Sequence, residues 1–73
     1  MADELENGVK DFGQNLRKIR KSKKLTTETL ANLAELEIVQ INRIELGKTN
    51  PKLKSILAIA KALEISPKDL FDY

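Results

Sequence analysis

The chain has 73 residues, of which 13 are lysine or arginine and 11 are aspartate or glutamate, and it has no histidine and no cysteine. A chain of this length forms one small domain with a thin core. The two missing residue types exclude disulfide bonds, thiolate chemistry and the commonest general base and metal ligand, so the composition indicates neither an enzyme nor a metal or cofactor site.

Residues 1–8 are acidic and lack a clear apolar pattern. We expect them to form a flexible acidic arm before a single domain over residues 9–73. The acidic residues of this arm also stand where a signal peptide would need positive charge and an apolar run. Since the longest apolar run, at 56–60, is far too short to cross a bilayer, we expect a cytoplasmic protein with no membrane partner.

A first helix is predicted by four apolar residues at helical spacing, and it ends at about 22–24. These residues are Val9, Phe12, Leu16 and Ile19. The same region is strongly basic, because seven lysines or arginines lie between Lys10 and Lys24 against Asp11 alone. Such a block is usually a solvated helix face, but it is also what a phosphate-binding flank needs.

Two short helical patterns follow with almost no room for a loop between them. Their facing apolar stripes are Leu30, Leu33 and Ala34 in the first, and Ile41 and Ile44 in the second. Thr26 is a suitable N-cap for the earlier of these two helices, helix two of the chain. Gly47 can take the left-handed conformation that ends the later one, helix three. Ala31 is small enough to let the second helix approach. This arrangement is typical of a helix-turn-helix.

A turn at 48–51 leads to two further predicted helices. The fourth helix has a predicted buried stripe formed by Leu53, Ile56, Leu57, Ala60 and Leu63. A short fifth helix opens with Ser66 as N-cap and Pro67 at the first helical position, followed by Asp69. We therefore predict an all-α domain of five helices.

The order and spacing of these landmarks carry more information than any one of them. The landmarks are Leu16 to Arg20, Leu25 and Thr26, Glu28, Leu30 and Ala31, Ile41, Arg43 to Glu45, Gly47, Asn50 and Pro51, Ile59 to Leu63, and Ser66 to Phe71. Together they resemble the lambda-repressor/Cro-like (XRE-type) helix-turn-helix regulators over about 12–71. The resemblance implies a compact five-helix domain with the helix-turn-helix at helices two and three. It also implies a small transcriptional regulator, a repressor or autoregulatory controller, that binds double-stranded DNA at the nucleoid and needs no cofactor or small-molecule ligand.

In this family helix three lies in the DNA major groove. The positions that the resemblance assigns to base contact are Ile38, Val39, Asn42 and Arg43. The Arg43 guanidinium can bind guanine O6 and N7 together, or it can pair with an acid on its own helix; Asn42 can bind adenine or a phosphate. Ile38 and Val39 cannot hydrogen-bond a base, so they suit thymine methyl groups or a protein-binding patch equally well.

Phosphate contacts are expected beside this helix, each with a solvated-surface alternative. The residues are Arg17, Thr27, Gln40, Lys48, Asn50 and Lys52. Thr27 stands where the family usually has a longer glutamine. The Arg20 and Glu45 side chains occupy family positions that form a structural ion pair between helices one and three.

Two glutamates oppose the DNA-binding interpretation. Glu35 takes the turn position where the family favours glycine, and Glu37 takes the cap of helix three, so both carboxylates lie near the surface expected to face a polyanion. With Leu36, Ile38 and Val39 they support an alternative, a protein-interaction or antitoxin-like module on the same fold with weak or lost DNA binding.

A single helix three touches few base pairs, so we predict a symmetric homodimer on an inverted-repeat operator. Two of the chain's three aromatic residues lie within its last four positions. The predicted dimer contact is therefore the C-terminal surface of Leu70, Phe71 and Tyr73.

Overall fold

The computed structural model describes residues 2–73, with side chains from Asp3 onward. Its elements are four α-helices, α1 (Ala2–Ser22), α2 (Thr27–Ala34), α3 (Ile38–Glu45) and α4 (Leu53–Leu63), followed by a 3₁₀-helix at Pro67–Phe71. α1 packs on α3 and on the 3₁₀-helix, while α2 packs between α3 and α4. The predicted all-α class is therefore correct, and α2 and α3 form the predicted helix-turn-helix.

α1 begins earlier than the sequence predicted. Residues 2–8 continue the helix in place of the flexible acidic arm, whereas Met1 lies outside the described residues. Asp3 and Glu4 lie in the first turn, where negative charge is favoured by the helix dipole. The Tyr73 hydroxyl also donates a hydrogen bond to the Gly8 carbonyl oxygen at 3.4 Å, so the two ends of the chain meet at this helix.

The predicted fifth α-helix is instead a 3₁₀-helix of five residues, so the domain has four α-helices. The Ser66 backbone N–H donates to Asp69 Oδ2 at 3.2 Å, and Pro67 follows at the first helical position as expected. A five-residue segment is too short to complete a series of α-helical hydrogen bonds, and short 3₁₀ pieces are the usual result.

The face that α4 buries differs from the predicted stripe. Leu53 and Leu57 are 69% and 47% exposed. Ile59, which was not part of the predicted stripe, is fully buried. α4 packs against both α2 and the 3₁₀-helix, and this pair of neighbours turns its buried face toward Ile59, Ala60 and Leu63. The two leucines of α4 predicted in the core are therefore on the surface. The same holds for Leu33 of α2, which was predicted to face α3 and is 56% exposed.

The turn of the helix-turn-helix is closed by a residue in the left-handed conformation. Glu35 has φ 58° and ψ 40°, and the Leu36 N–H beyond it donates to the Ala31 carbonyl oxygen at 2.9 Å. This is the 6→1 bond of a helix C-cap, which usually has glycine at the left-handed position. At the other end of α2, the Thr29 N–H donates to Thr26 Oγ1 at 3.0 Å, as predicted for the N-cap.

Glu35→Gly should stabilise the domain by about 0.5–1 kcal/mol, because glycine adopts a positive φ without the Cβ clash. The measurement is the free energy of unfolding in urea. Glu35→Ala is the matched control, since it removes the carboxylate but keeps the Cβ, and it should not give this gain. Equal stabilisation by both variants would show that charge, and not backbone strain, is the cost at this position.

α1 and α3 approach one another most closely at Gly13. A Cβ on Gly13 would lie 2.1 Å from the Ile44 carbonyl oxygen and 2.8 Å from that of Glu45. Asn15, two residues along and 9% exposed, donates from Nδ2 to the carbonyl oxygens of Asp69 and Leu70 at 3.1 and 2.9 Å. α1 is therefore the element that holds both α3 and the C-terminal segment in place.

Candidate nucleic-acid interface

The four predicted base-contacting residues lie together on the solvent-facing side of α3. Ile38, Val39, Asn42 and Arg43 are all exposed, whereas Ile41, Ile44 and Glu45 on the same helix are buried. Arg43 forms no ion pair with any residue in the described part of the chain, so its guanidinium is available to an external acceptor. The structure thus brings one apolar pair and one hydrogen-bonding pair to a single face.

The opposite side of α3 is fixed by the predicted ion pair with α1. Arg20 donates from Nε to Glu45 Oε2 at 2.6 Å and from a second guanidinium nitrogen to Oε1 at 2.9 Å, which makes the pair bidentate. A third bond from Arg20 reaches the Leu25 carbonyl oxygen at 2.7 Å. The hydrogen bond to Glu45 raises the pKa of Arg20 above its ordinary value, with desolvation acting in the opposite direction. Within residues 3–73 no buried side-chain nitrogen or oxygen lacks a partner.

Two of the predicted phosphate-contacting residues lie around one groove after α3. Lys48 and Asn50 line it together with Lys10 from α1, and its volume is about 280 Å³. Lys10 passes so close to Gly47 that a Cβ there would lie 2.6 Å from Lys10 Cγ. Glu6 also lines this groove, so the groove carries both negative and positive charge.

The other predicted phosphate contacts are spread over all four α-helices. Arg17 is exposed on α1, Thr27 is half-buried at the first position of α2, and Lys52 is the exposed N-cap residue of α4. Gln40 is exposed on α3, and its Oε1 accepts a hydrogen bond from the Glu37 N–H at 2.9 Å. This bond fixes the start of α3 and does not use the Gln40 amide nitrogen, which remains a possible donor.

Both predicted acidic residues are at the turn between α2 and α3. Glu35 ends α2, Glu37 caps α3, and both are exposed. Their exposure lets solvent and salt screen the two charges, which weakens their repulsion of a phosphate backbone.

Leu70 is not available for the predicted dimer contact. It is fully buried, because the 3₁₀-helix packs between α1 and α4, whereas Phe71 and Tyr73 are 52% and 61% exposed. The Phe71 ring also packs on Phe12, with the ring centroids 5.0 Å apart. Only the last two aromatic residues of the predicted set thus present surface to a partner.

Sequence reasoning missed residues whose role depends on contacts between distant elements. In the sequence Lys10 was only one of seven basic residues between Lys10 and Lys24. The fold brings it to the same groove as Lys48. Leu46, 57% exposed at the end of α3, continues the exposed face one turn after Asn42, a helical spacing that the sequence already contained. Gly13 and Asn15 had no local signal, because their contacts lie at α3 and at the C-terminal segment.

The exposed third helix, its close packing on the first and the tight turn before it define a helix-turn-helix domain. The chain belongs to the helix-turn-helix domain family, whose model matches residues 13–72. The resemblance to Cro-like (XRE-type) regulators is thereby confirmed. It is a family of transcriptional regulators and not of enzymes, and the protein-interaction alternative is not favoured.

Particular relatives include small controller proteins. The chain is 44% identical over 63 residues to "Control protein C.BamHI" of Bacillus amyloliquefaciens, which is 85% of this chain and 78% of that one. The crystal structure of the restriction-modification controller protein C.AhdI from Aeromonas hydrophila superposes with a TM-score of 0.86 at 41% identity, over 97% of this chain and all of that one. The transcriptional repressor RghR of Bacillus subtilis is 40% identical over 58 residues, 78% of this chain but only 43% of RghR. Within the described residues no helix is both long and apolar enough to cross a membrane.

Proposed function

We propose that this protein is a transcriptional regulator that binds specific sequences in double-stranded DNA through α3 in the major groove. The observation that carries the proposal is the division of α3 into two faces. One face is fixed to α1 at Gly13 and by the Arg20–Glu45 pair, and the other presents Arg43 and Asn42 to solvent. Base recognition requires a helix whose buried face is held rigidly and whose opposite face is free to enter the groove.

Arg43 is the main base reader in this proposal. Its guanidinium fork can donate two hydrogen bonds to O6 and N7 of one guanine, and no acid in the described part of the chain competes for it. Asn42, the preceding residue, binds adenine or a nearby phosphate.

The phosphate backbone is bound on both sides of α3. Lys48 and Asn50, with Lys10 beside them, contact it where the chain leaves α3, and Lys52 does so at the start of α4. Arg17 on α1, Thr27 on α2 and Gln40 near the start of α3 contact it as well. The net charge of +2 is small, so these local groups and not the overall charge provide the attraction.

The regulator acts as a repressor or as an autoregulatory controller, in the cytoplasm and at the nucleoid. Support comes from the relatives, which include control and controller proteins close to this chain in length and a transcriptional repressor.

Arg43→Ala should weaken binding to the specific duplex about tenfold or more and relax the preference at one base pair, since a bidentate contact is worth about 1–3 kcal/mol. Lys52→Ala should weaken binding to all duplexes alike and flatten its dependence on salt. Fluorescence anisotropy titrations at several salt concentrations separate the two effects. A uniform loss for Arg43→Ala, with no change in base preference, would assign Arg43 to the backbone instead.

The protein binds its operator as a homodimer in this proposal, and the operator is an inverted repeat. Two-fold helix-turn-helix dimers place their recognition helices about 34–36 Å apart, one turn of DNA, and a domain of 34 × 22 × 20 Å is small enough for two copies to sit side by side on such a site. Besides Phe71 and Tyr73, the exposed apolar side chains Leu53 and Leu57 on α4 are candidates for the contact.

Leu57→Ser combined with Tyr73→Ser should convert the dimer to a monomer, because the two changes remove apolar surface from the proposed contact without touching the core. Sedimentation equilibrium at tens of micromolar protein measures the change. Leu33→Ser, at a 56% exposed leucine of α2, is the control and should remain dimeric. A monomeric wild type, alone and with DNA, would contradict the proposed dimer.

A further inference from the structure

Two β-branched residues begin α3 on its exposed face. Ile38 and Val39 are 42% and 47% exposed, although Ile41 and Ile44 in the same short helix are at most 3% exposed. Neither side chain has a polar atom, and β-branched residues are weaker helix formers than alanine or leucine. Their exposed surface therefore does little for the stability of this domain and is open to contact with another molecule.

The positions of the two residues along α3 limit what that molecule is. Ile38 lies one turn before Asn42, and Val39 lies one turn before Arg43. Residues one turn apart are neighbours on a helix surface, so each apolar side chain lies beside a hydrogen-bonding one. The base edges of the major groove offer hydrogen-bonding groups and one kind of apolar group, the 5-methyl group of thymine. The exposed lysines that follow α3, Lys48 and Lys52, favour a polyanion over an apolar protein surface as the partner of this side of the domain.

We infer that Ile38 and Val39 read the 5-methyl group of pyrimidines, an inference that rests on the proposed binding of DNA by α3. Cytosine methylated at carbon 5 carries the same methyl group at the same ring position as thymine, and unmodified cytosine lacks it. Thymine has an oxygen at position 4 of the ring and cytosine has an amino group. Because neither Ile38 nor Val39 can hydrogen-bond, these side chains cannot distinguish the two groups. Occupancy of the operator thus depends on cytosine methylation wherever a cytosine faces this pair.

The helix geometry also limits where the methyl group lies. The four residues from Val39 to Arg43 advance about 6 Å along the helix, whereas successive base pairs are about 3.4 Å apart. The methyl-bearing pyrimidine is therefore one or two base steps from the guanine that Arg43 binds.

The test uses the whole chain and a duplex recovered from genomic DNA by its binding to this protein. Each thymine near the Arg43-dependent position is replaced in turn by deoxyuridine, which removes only the methyl group. At one or two positions the affinity should fall about fourfold, the factor expected for burial of one methyl-sized group. At the same positions a 5-methylcytosine·guanine pair should bind about fourfold more tightly than a cytosine·guanine pair.

Variants then assign the effect to residues. Ile38→Ala with Val39→Ala should bind the thymine and deoxyuridine duplexes equally, and the methylated and unmethylated cytosine duplexes equally. Leu5→Ala, which truncates a 75% exposed leucine on α1, should retain both differences. Thermal unfolding shows whether each variant is folded.

Two results would overturn the inference while leaving DNA binding intact. One is equal affinity of the wild type for all deoxyuridine and thymine duplexes, and the other is a methyl effect that survives in the double variant. Failure of the wild type to bind any duplex would instead remove the proposed function, and this inference with it.

Discussion

Gly13→Ala is expected to destabilise the domain by about 3 kcal/mol, at the upper end of the usual cost of overpacking. The added Cβ would lie 2.1 Å from the Ile44 carbonyl oxygen and 2.8 Å from that of Glu45. Both are backbone atoms of α3, so the clash cannot be relieved by a side-chain rotation and requires α1 and α3 to separate. Urea unfolding monitored by circular dichroism measures the loss.

Gly8→Ala is the matched control within the same helix. A Cβ at Gly8 would have no atom within 4 Å, so alanine should stabilise α1 by about 0.5–1 kcal/mol through its higher helix propensity. The two glycine substitutions should therefore change stability in opposite directions. A Gly13→Ala protein as stable as the wild type would contradict the close packing of α1 on α3.

Arg20→Met should destabilise the fold by about 3–5 kcal/mol, because it leaves the Glu45 carboxylate buried without its partner. The same substitution removes the hydrogen bond to the Leu25 carbonyl oxygen. Adding Glu45→Leu should recover much of the loss, but not the part due to Leu25. The free energies of unfolding of the two single variants and the double variant form a cycle that measures the coupling.

Additive losses in that cycle would show that the two side chains are not coupled. The wild-type pair should also be insensitive to mild alkali. Since the folded pKa of Arg20 is raised above the unfolded value, its stabilisation is fully present below the unfolded value and is lost only as the pH rises through the folded one. Both values lie far above neutral pH.

The helix-turn-helix was predictable because its signals are local. Thr26 caps α2, Ile41 and Ile44 share a helical face, and Gly47 has φ 70°, so each feature follows from a few neighbouring residues. The Arg20–Glu45 pair came from the family resemblance, since no local pattern joins residues 25 positions apart. The exposed face of α3 followed once its buried face was known.

The remaining features depend on how distant elements meet. In α4 the spacing of Leu53 and Leu57 is as helical as that of Ile59 and Leu63, and only the positions of the neighbouring elements decide which pair is buried. Leu70 lies in a segment too short for a period to show its face. Residues 2–8 form helix without an apolar stripe, so hydrophobic spacing could not reveal it.

Binding of duplex DNA is tested most directly by incubating the purified protein with fragmented genomic DNA, recovering the bound fragments and sequencing them. We expect strong enrichment of a few fragments that share an inverted repeat with half-sites about one helical turn apart. The Arg43→Ala protein should lose most of that enrichment while remaining folded. Recovery of fragments in the same proportions as the input DNA, even at low salt, would contradict the account.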